Sequence, residues 1–213
     1  MIPRERTLFL LLIVIVGLLA ATGIKPYDRS TWLMEVAPVL IAVPILVLTY
    51  RRFPLTPLLY FLIFLHAIVL ITGGAYTYAR VPLGFWLQDL FSLSRNHYDR
   101  IGHFFQGLVP ALLAREILLR GGFVTNRRMA AFLAICVAMA FSAWYELIEW
   151  AAAVLLGQGA DAFLGTQGDP WDTQKDMFMC FIGSVVAMLA LSWAQDRQME
   201  KYMRFEAYGR RRP

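Results

Sequence analysis

The chain has 213 residues, 59% of them hydrophobic and only 16% charged, with a net charge of +5. A soluble domain is nearer one half apolar and one quarter charged, so a soluble all-helical globule is disfavoured, while the length suits one domain. No nucleic-acid module is present, and the basic residues collect at the ends of apolar segments, where membrane topology uses them.

Runs of about 20 apolar residues recur, the length that crosses a hydrocarbon core. Arg4 and Arg6 precede the first, over residues 8–24. It has no clear small-x-small cleavage pattern before Lys25 and reads as a retained anchor. Residues 25–29 link it to a second span, 32–50, which Ser30 or Thr31 is placed to cap, with Glu35 near its first turn. Pro38 and Pro44 inside that span predict a kink. The third span, 57–78, carries His66 at its middle. An intramembrane histidine is a candidate functional group, but a lone one reads better as a hydrogen-bonded structural residue.

Residues 81–91 suit a short interfacial helix with Phe85 and Trp86 in the bilayer surface. A fourth span follows over 101–119, a fifth over 129–156 and a sixth over 172–193. Between the last two lies a Gly- and Asp-rich loop, 157–171, either a lid or a solvated turn. Cys136 and Cys180 fall inside predicted spans without metal spacing and read as small buried hydrophobes. The expected architecture is all-α: a six-span membrane domain, 1–194, and a basic cytoplasmic tail, 195–213. In the tail, Tyr202, Met203, Phe205 and Tyr208 interleave with basic residues, as suits either a helix on anionic lipid or a disordered segment.

Three stretches break the apolar pattern. Asp99 and His103, with Gln106 three further on, share one side of the fourth helix. Glu146 and Glu149 share a face of the fifth, and Asp172 and Asp176 a face of the sixth. Polar groups are expensive in hydrocarbon, so they are expected to face the protein interior or a wet cavity. Counting Lys and Arg only, 14 fall on one side of the six spans and 6 on the other, which makes both termini cytoplasmic. All three polar pairs then lie near the outer face, and a single shared cluster is expected. Five carboxylates close together cannot all stay ionised without protons, partners such as Arg100 or Lys175, or a bound cation. The set Asp99, His103, Glu146, Glu149 and Asp176 suits a divalent cation; Mn²⁺, Mg²⁺, Ca²⁺ and Zn²⁺ all stay open. The bland alternatives are that Asp172 caps its helix, Asp99 pairs with Arg100, and the glutamates join helices.

The phrases Tyr-Asp-Arg-Ile-Gly-His-Phe-Phe-Gln-Gly at 98–107, Ala-Arg-Glu-Ile-Leu-Leu-Arg at 114–120, Tyr-Glu-Leu-Ile-Glu-Trp at 145–150 and Asp-Ala-Phe-Leu-Gly-Thr-Gln-Gly-Asp-Pro-Trp-Asp-Thr-Gln-Lys-Asp-Met at 161–177 resemble the YjdF-type bacterial inner-membrane proteins over essentially the whole chain. That family has no assigned function, so the resemblance implies location and class without chemistry. More remotely, the order D-x-x-x-H, E-x-x-E, D-x-x-x-D is similar to the VanZ-like membrane proteins, which are linked to glycopeptide tolerance. Glu149 departs from the Gln of a VanZ-like second motif.

Three functions fit: a polar, cation-holding protein that binds an envelope lipid or small molecule; a metal-assisted hydrolase or transferase on a lipid-linked substrate at the outer leaflet; and a proton- or cation-coupled carrier. The absence of a Ser or Cys nucleophile motif disfavours acyl-enzyme chemistry.

Overall fold

The computed structural model describes residues 3–156 and 167–209, with side chains from 4 to 155 and from 167 to 202. Among the described residues every regular element is helical: α1 (Pro3–Ile24), α2 (Arg29–Thr49), α3 (Pro57–Tyr76), α4 (Pro82–Phe91), α5 (Tyr98–Arg120), α6 (Arg127–Leu156), α7 (Asp172–Val186), a π-helical turn (Ala187–Leu191) and α8 (Ser192–Gly209). Among the described residues, five stretches are long and apolar enough to cross a membrane: α1, α2, α3, α6, and the continuous helix from Asp172 to Tyr202.

The helix α5 is the exception, and it is the centre of the bundle. It is 23 residues long, enough to span, but carries Asp99, Arg100, Arg115, Glu116 and Arg120. Eleven of its residues are buried, against few on α1, so its charges face protein rather than the bundle surface. It packs on α7 and α6 most extensively and on α3 next. Leu108, Ala111 and Leu112 of α5 join Leu59, Ala134, Ala138, Cys180 and Ala187 in the main core. The α5–α7 contact is backbone to backbone: a Cβ on Gly107 would collide with the Cys180 carbonyl, and one on Gly183 with that of Phe104. Small residues at such crossings are the usual device for close packing where lipid offers no hydrophobic drive.

Links alternate between the two ends of the bundle. At one end Arg4 meets Leu55 and Tyr202, Arg120 meets Pro54, and Arg115 meets Gln195 and Asp196. At the other, the α1–α2 link reaches the end of α3 through Tyr27 N–H to Ala75 carbonyl, 3.1 Å. The starts of α5 and α7 and the end of α6 gather at that second end.

Several expectations change. Asp28, not Ser30 or Thr31, caps α2, its Oδ1 accepting from the Thr31 N–H at 2.7 Å. This bond holds the Asp28 carboxyl below its ordinary pKa. The third helix stops at Tyr76 because Thr77 and Tyr78 turn left-handed, with φ of 58° and 43°. That turn folds the Tyr78 ring back onto Gly73, where any side chain would collide with it. Cys180 is buried, but Cys136 is exposed on α6 and is no core residue. His66 stacks on Phe105 with centroids 6.0 Å apart, and its Nε2 is buried without a hydrogen-bond partner.

The interfacial helix of 81–91 is α4, with Leu83, Phe85, Trp86, Leu90 and Phe91 exposed along it. Asn96 fixes it, donating to the Val81 carbonyl and accepting from the Tyr98 N–H, both at 3.0 Å. The π-helical turn adds one residue to the last helix. It carries the buried stripe from Asp176, Cys180 and Ala187 on to Gln195 and Met199, so the helix runs past residue 194 with those two side chains still inside. Met203, Phe205 and Tyr208 side chains, and residues 157–166 of the lid reading, lie outside the described residues.

Candidate functional site

At the end of the bundle where α5 and α7 begin, helical periodicity aligns Asp99 with His103 and Asp172 with Asp176 across the close α5–α7 contact. From α6, Glu146 completes the group. His103, Glu146, Asp172 and Asp176 are all buried, at 3–8% exposure.

The imidazole is the hub. Its Nδ1 lies 3.0 Å from Gln106 Oε1, one turn along α5. With the amide oxygen as acceptor, Nδ1 carries a proton and Nε2 faces the cluster, as a donor to the carboxylates or, once deprotonated, as a ligand atom. Around Nε2 stand Asp99 Oδ1 at 3.5 Å, Glu146 Oε1 at 3.7 Å and Asp176 Oδ1 at 3.8 Å. These separations are longer than good hydrogen bonds. Asp99, His103 and Asp176 each offer one ligand atom within 4.8 Å of the others, and Glu146 Oε1 is buried with no hydrogen-bond partner.

The charge is unbalanced. Arg100 binds Asp172 and Asp176, and Arg95 also binds Asp172. Asp172 is therefore an ion-pair partner of both arginines; its side chain caps nothing. Asp99 faces His103, and Arg100 acts on it through charge alone. Lys175 pairs with Asp169 at the rim, at 2.6 Å, and holds that carboxyl below its ordinary pKa. At the mouth, burial, then Arg95 and Arg100, depress the His97 pKa.

Glu35 of α2 joins from the far side. Its Oε2 accepts from Tyr145 Oη at 3.0 Å, and its Cβ packs at Gly74, where α2 and α3 come close. Glu149 lies within electrostatic reach of Glu35, Glu146, His103 and Asp99. Among the described residues, counting Glu35, Asp99, Glu146, Glu149, Asp169, Asp172 and Asp176 against Arg95, Arg100 and Lys175, seven carboxylates face three fixed cations. The surplus calls for protons or a bound cation.

All seven sequence-derived residues thus lie at one end of the bundle. Asp99, His103, Gln106, Glu146 and Asp176 are in the tight group, Asp172 sits beside it on the arginines, and Glu149 is one turn further along α6. Sequence reasoning left out Glu35, Tyr145 and the double role of Arg100. A glutamate in an otherwise apolar second span is the signal that points to Glu35.

Among known proteins, the family profile described as "Predicted membrane protein (DUF2238)" matches residues 7–197. The chain belongs to this family. It is 60% identical over 185 residues to Inner membrane protein YjdF of Escherichia coli (strain K12), covering 87% of this chain and 88% of that protein. No solved structure matches. DUF2238 membership and this likeness agree with helices able to span a bilayer: the protein is a YjdF-like inner-membrane protein.

A second polar cluster in this DUF2238 chain occupies the opposite end, and its character differs. Glu116, fully buried, accepts from Thr56 N–H (2.9 Å), Thr56 Oγ1 (2.7 Å), Arg120 Nη1 (2.8 Å) and Gln195 Nε2 (3.3 Å). Arg115 binds Gln195 and Asp196, and Asp196 also binds Arg127. Here each carboxylate has its cation and its donors, which is what a structural clamp requires. The His103 end has acceptors to spare.

Proposed function

We propose that this protein is a six-span inner-membrane protein, α5 included, with both termini cytoplasmic and a divalent-cation site near the outer face formed by Asp99, His103, Asp176 and Glu146. One observation carries the reading: the Nε2 of a buried imidazole, whose Nδ1 is held by Gln106, faces three carboxylate oxygens at 3.5–3.8 Å, one of them without a hydrogen-bond partner. Buried polar atoms are normally satisfied, and a cation among these four atoms satisfies all of them.

The orientation is supported by charge. The Arg4 end of the sequence pattern holds 14 Lys/Arg against 5 Asp/Glu, and the His103 end 6 against 10. Towards the middle of the bundle from the site, α5 and α7 meet backbone to backbone at Gly107–Cys180 and Gly183–Phe104. That tight crossing favours a binding or metal-assisted hydrolytic role on an envelope lipid or small molecule over a through-path for a carrier between α5 and α7.

Equilibrium dialysis of the detergent-purified chain against divalent cations, with elemental analysis, tests the reading. About one equivalent is expected on the wild type and none on Glu146→Gln, with both proteins folded. Equal metal content in the two would refute it.

A further inference from the structure

We infer that the site selects a four-coordinate transition dication of the zinc class over magnesium and calcium. This inference rests on the cation-binding reading above and names the ion.

The donor spacing is the first argument. Four ligands on a tetrahedral ion with bonds of about 2.1 Å stand roughly 3.4 Å apart. Adjacent ligands on an octahedral magnesium stand only about 3.0 Å apart, and on calcium, with bonds of about 2.4 Å, about 3.4 Å apart. The Nε2-to-carboxylate separations of 3.5, 3.7 and 3.8 Å lie above all three, nearest the zinc and calcium spacings, so spacing disfavours magnesium and the donor set separates zinc from calcium.

The donor set is the second. One imidazole nitrogen with three carboxylate oxygens suits zinc-like ions, whereas calcium takes six to eight oxygens and magnesium keeps several waters. His103, Glu146 and Asp176 are all more than nine-tenths buried, which leaves little room for a hydration shell. The helical backbone of α5, α6 and α7 spends its carbonyls on its own ladder, so it offers no extra oxygen ligands.

The outer shell is the third. Gln106 fixes the His103 ring through Nδ1, as partners of zinc-bound imidazoles do. Arg100 binds the same Asp176 Oδ1 that faces Nε2 and holds that carboxylate in place. Glu146 Oε1, buried, unpartnered and 3.7 Å from Nε2, lies outside the Asp99, His103 and Asp176 group whose donors stand within 4.8 Å of one another, and by closing onto the ion it becomes the fourth ligand.

Cobalt(II) titration of the full-length purified chain tests this, because four-coordinate Co²⁺ absorbs intensely in the visible and six-coordinate Co²⁺ only weakly. The expected result is an intense spectrum saturating near one equivalent, reversed by Zn²⁺ and insensitive to excess Mg²⁺ or Ca²⁺. It should vanish in His103→Ala. In the isosteric Glu146→Gln it should be lost as well, because a direct ligand is removed. A weak six-coordinate spectrum, or displacement by Mg²⁺ or Ca²⁺, overturns the zinc-class inference and leaves the cation site standing. Folded wild type that retains no cobalt, zinc, manganese, magnesium or calcium overturns both. A Glu146→Gln spectrum and affinity equal to wild type removes Glu146 as a ligand and with it the four-coordinate assignment.

Discussion

Glu116→Leu is the perturbation that separates the two polar ends most sharply. The side chain is fully buried and accepts from Thr56 N–H, Thr56 Oγ1, Arg120 and Gln195 at 2.7–3.3 Å. Leucine fills the volume but orphans the Thr56 N–H at the start of α3 and removes the anion opposite Arg120. Breaking a buried ion pair from one side costs about 3–5 kcal/mol. Arg120 keeps the Pro54 carbonyl at 2.7 Å and the rings of Phe53 and Tyr202, so the lower figure, about 3 kcal/mol, applies. Glu116→Gln keeps the shape and one acceptor and should cost about 1–2 kcal/mol. For a chain of this size about 3 kcal/mol lowers the melting temperature by roughly 6–12 °C. Thermal unfolding in detergent reads the series, with cation binding at the far end unchanged in protein that remains folded. A Glu116→Leu variant melting at or above wild type would show that the clamp contributes no net stability.

Gly107→Ala places its Cβ on the Cys180 carbonyl, a backbone atom that cannot swing aside, so it should lower stability by about 1–3 kcal/mol in the same melt. An unchanged melt would mean that α5 and α7 separate easily. Gln106→Leu frees the His103 ring while leaving every proposed ligand in place, and should weaken cation binding about 10–100-fold in a competition titration. Asp28→Ala removes the α2 cap at a cost of about 1 kcal/mol. Because the folded Asp28 pKa is depressed, its contribution is complete above the ordinary carboxylate value of about 3.9 and is lost as pH falls through the lowered one. Asp28→Asn should melt like wild type near neutrality and lack that acid-dependent loss.

Periodicity and apolar length made most of the helices legible, because lipid leaves a chain few ways to satisfy its backbone. The stretch read as a fourth span is α5, whose charges look wrong for lipid until the neighbours that cover them are known. The three polar pairs were readable as faces, since i, i+4 spacing is local. What was not readable is pairing between elements. Arg100 stands next to Asp99 in the chain but reaches across to Asp172 and Asp176 on α7. Glu116 looks like one charge in a basic helix end until Thr56 arrives from 60 residues away. Glu35 is one acid in an apolar segment, and only the Gly74 contact and Tyr145 bring it toward the cluster. Cys136 went the other way, since an apolar stretch does not say which of its faces turns outward.

The most direct measurement of the central claim is an anomalous-scattering map of zinc-loaded protein. The account predicts one peak within bonding distance of His103 Nε2 and of carboxylate oxygens from Asp99, Asp176 and Glu146, with Gln106 still on Nδ1. A map with no peak there, and with Glu146 turned to a protein partner, would contradict it.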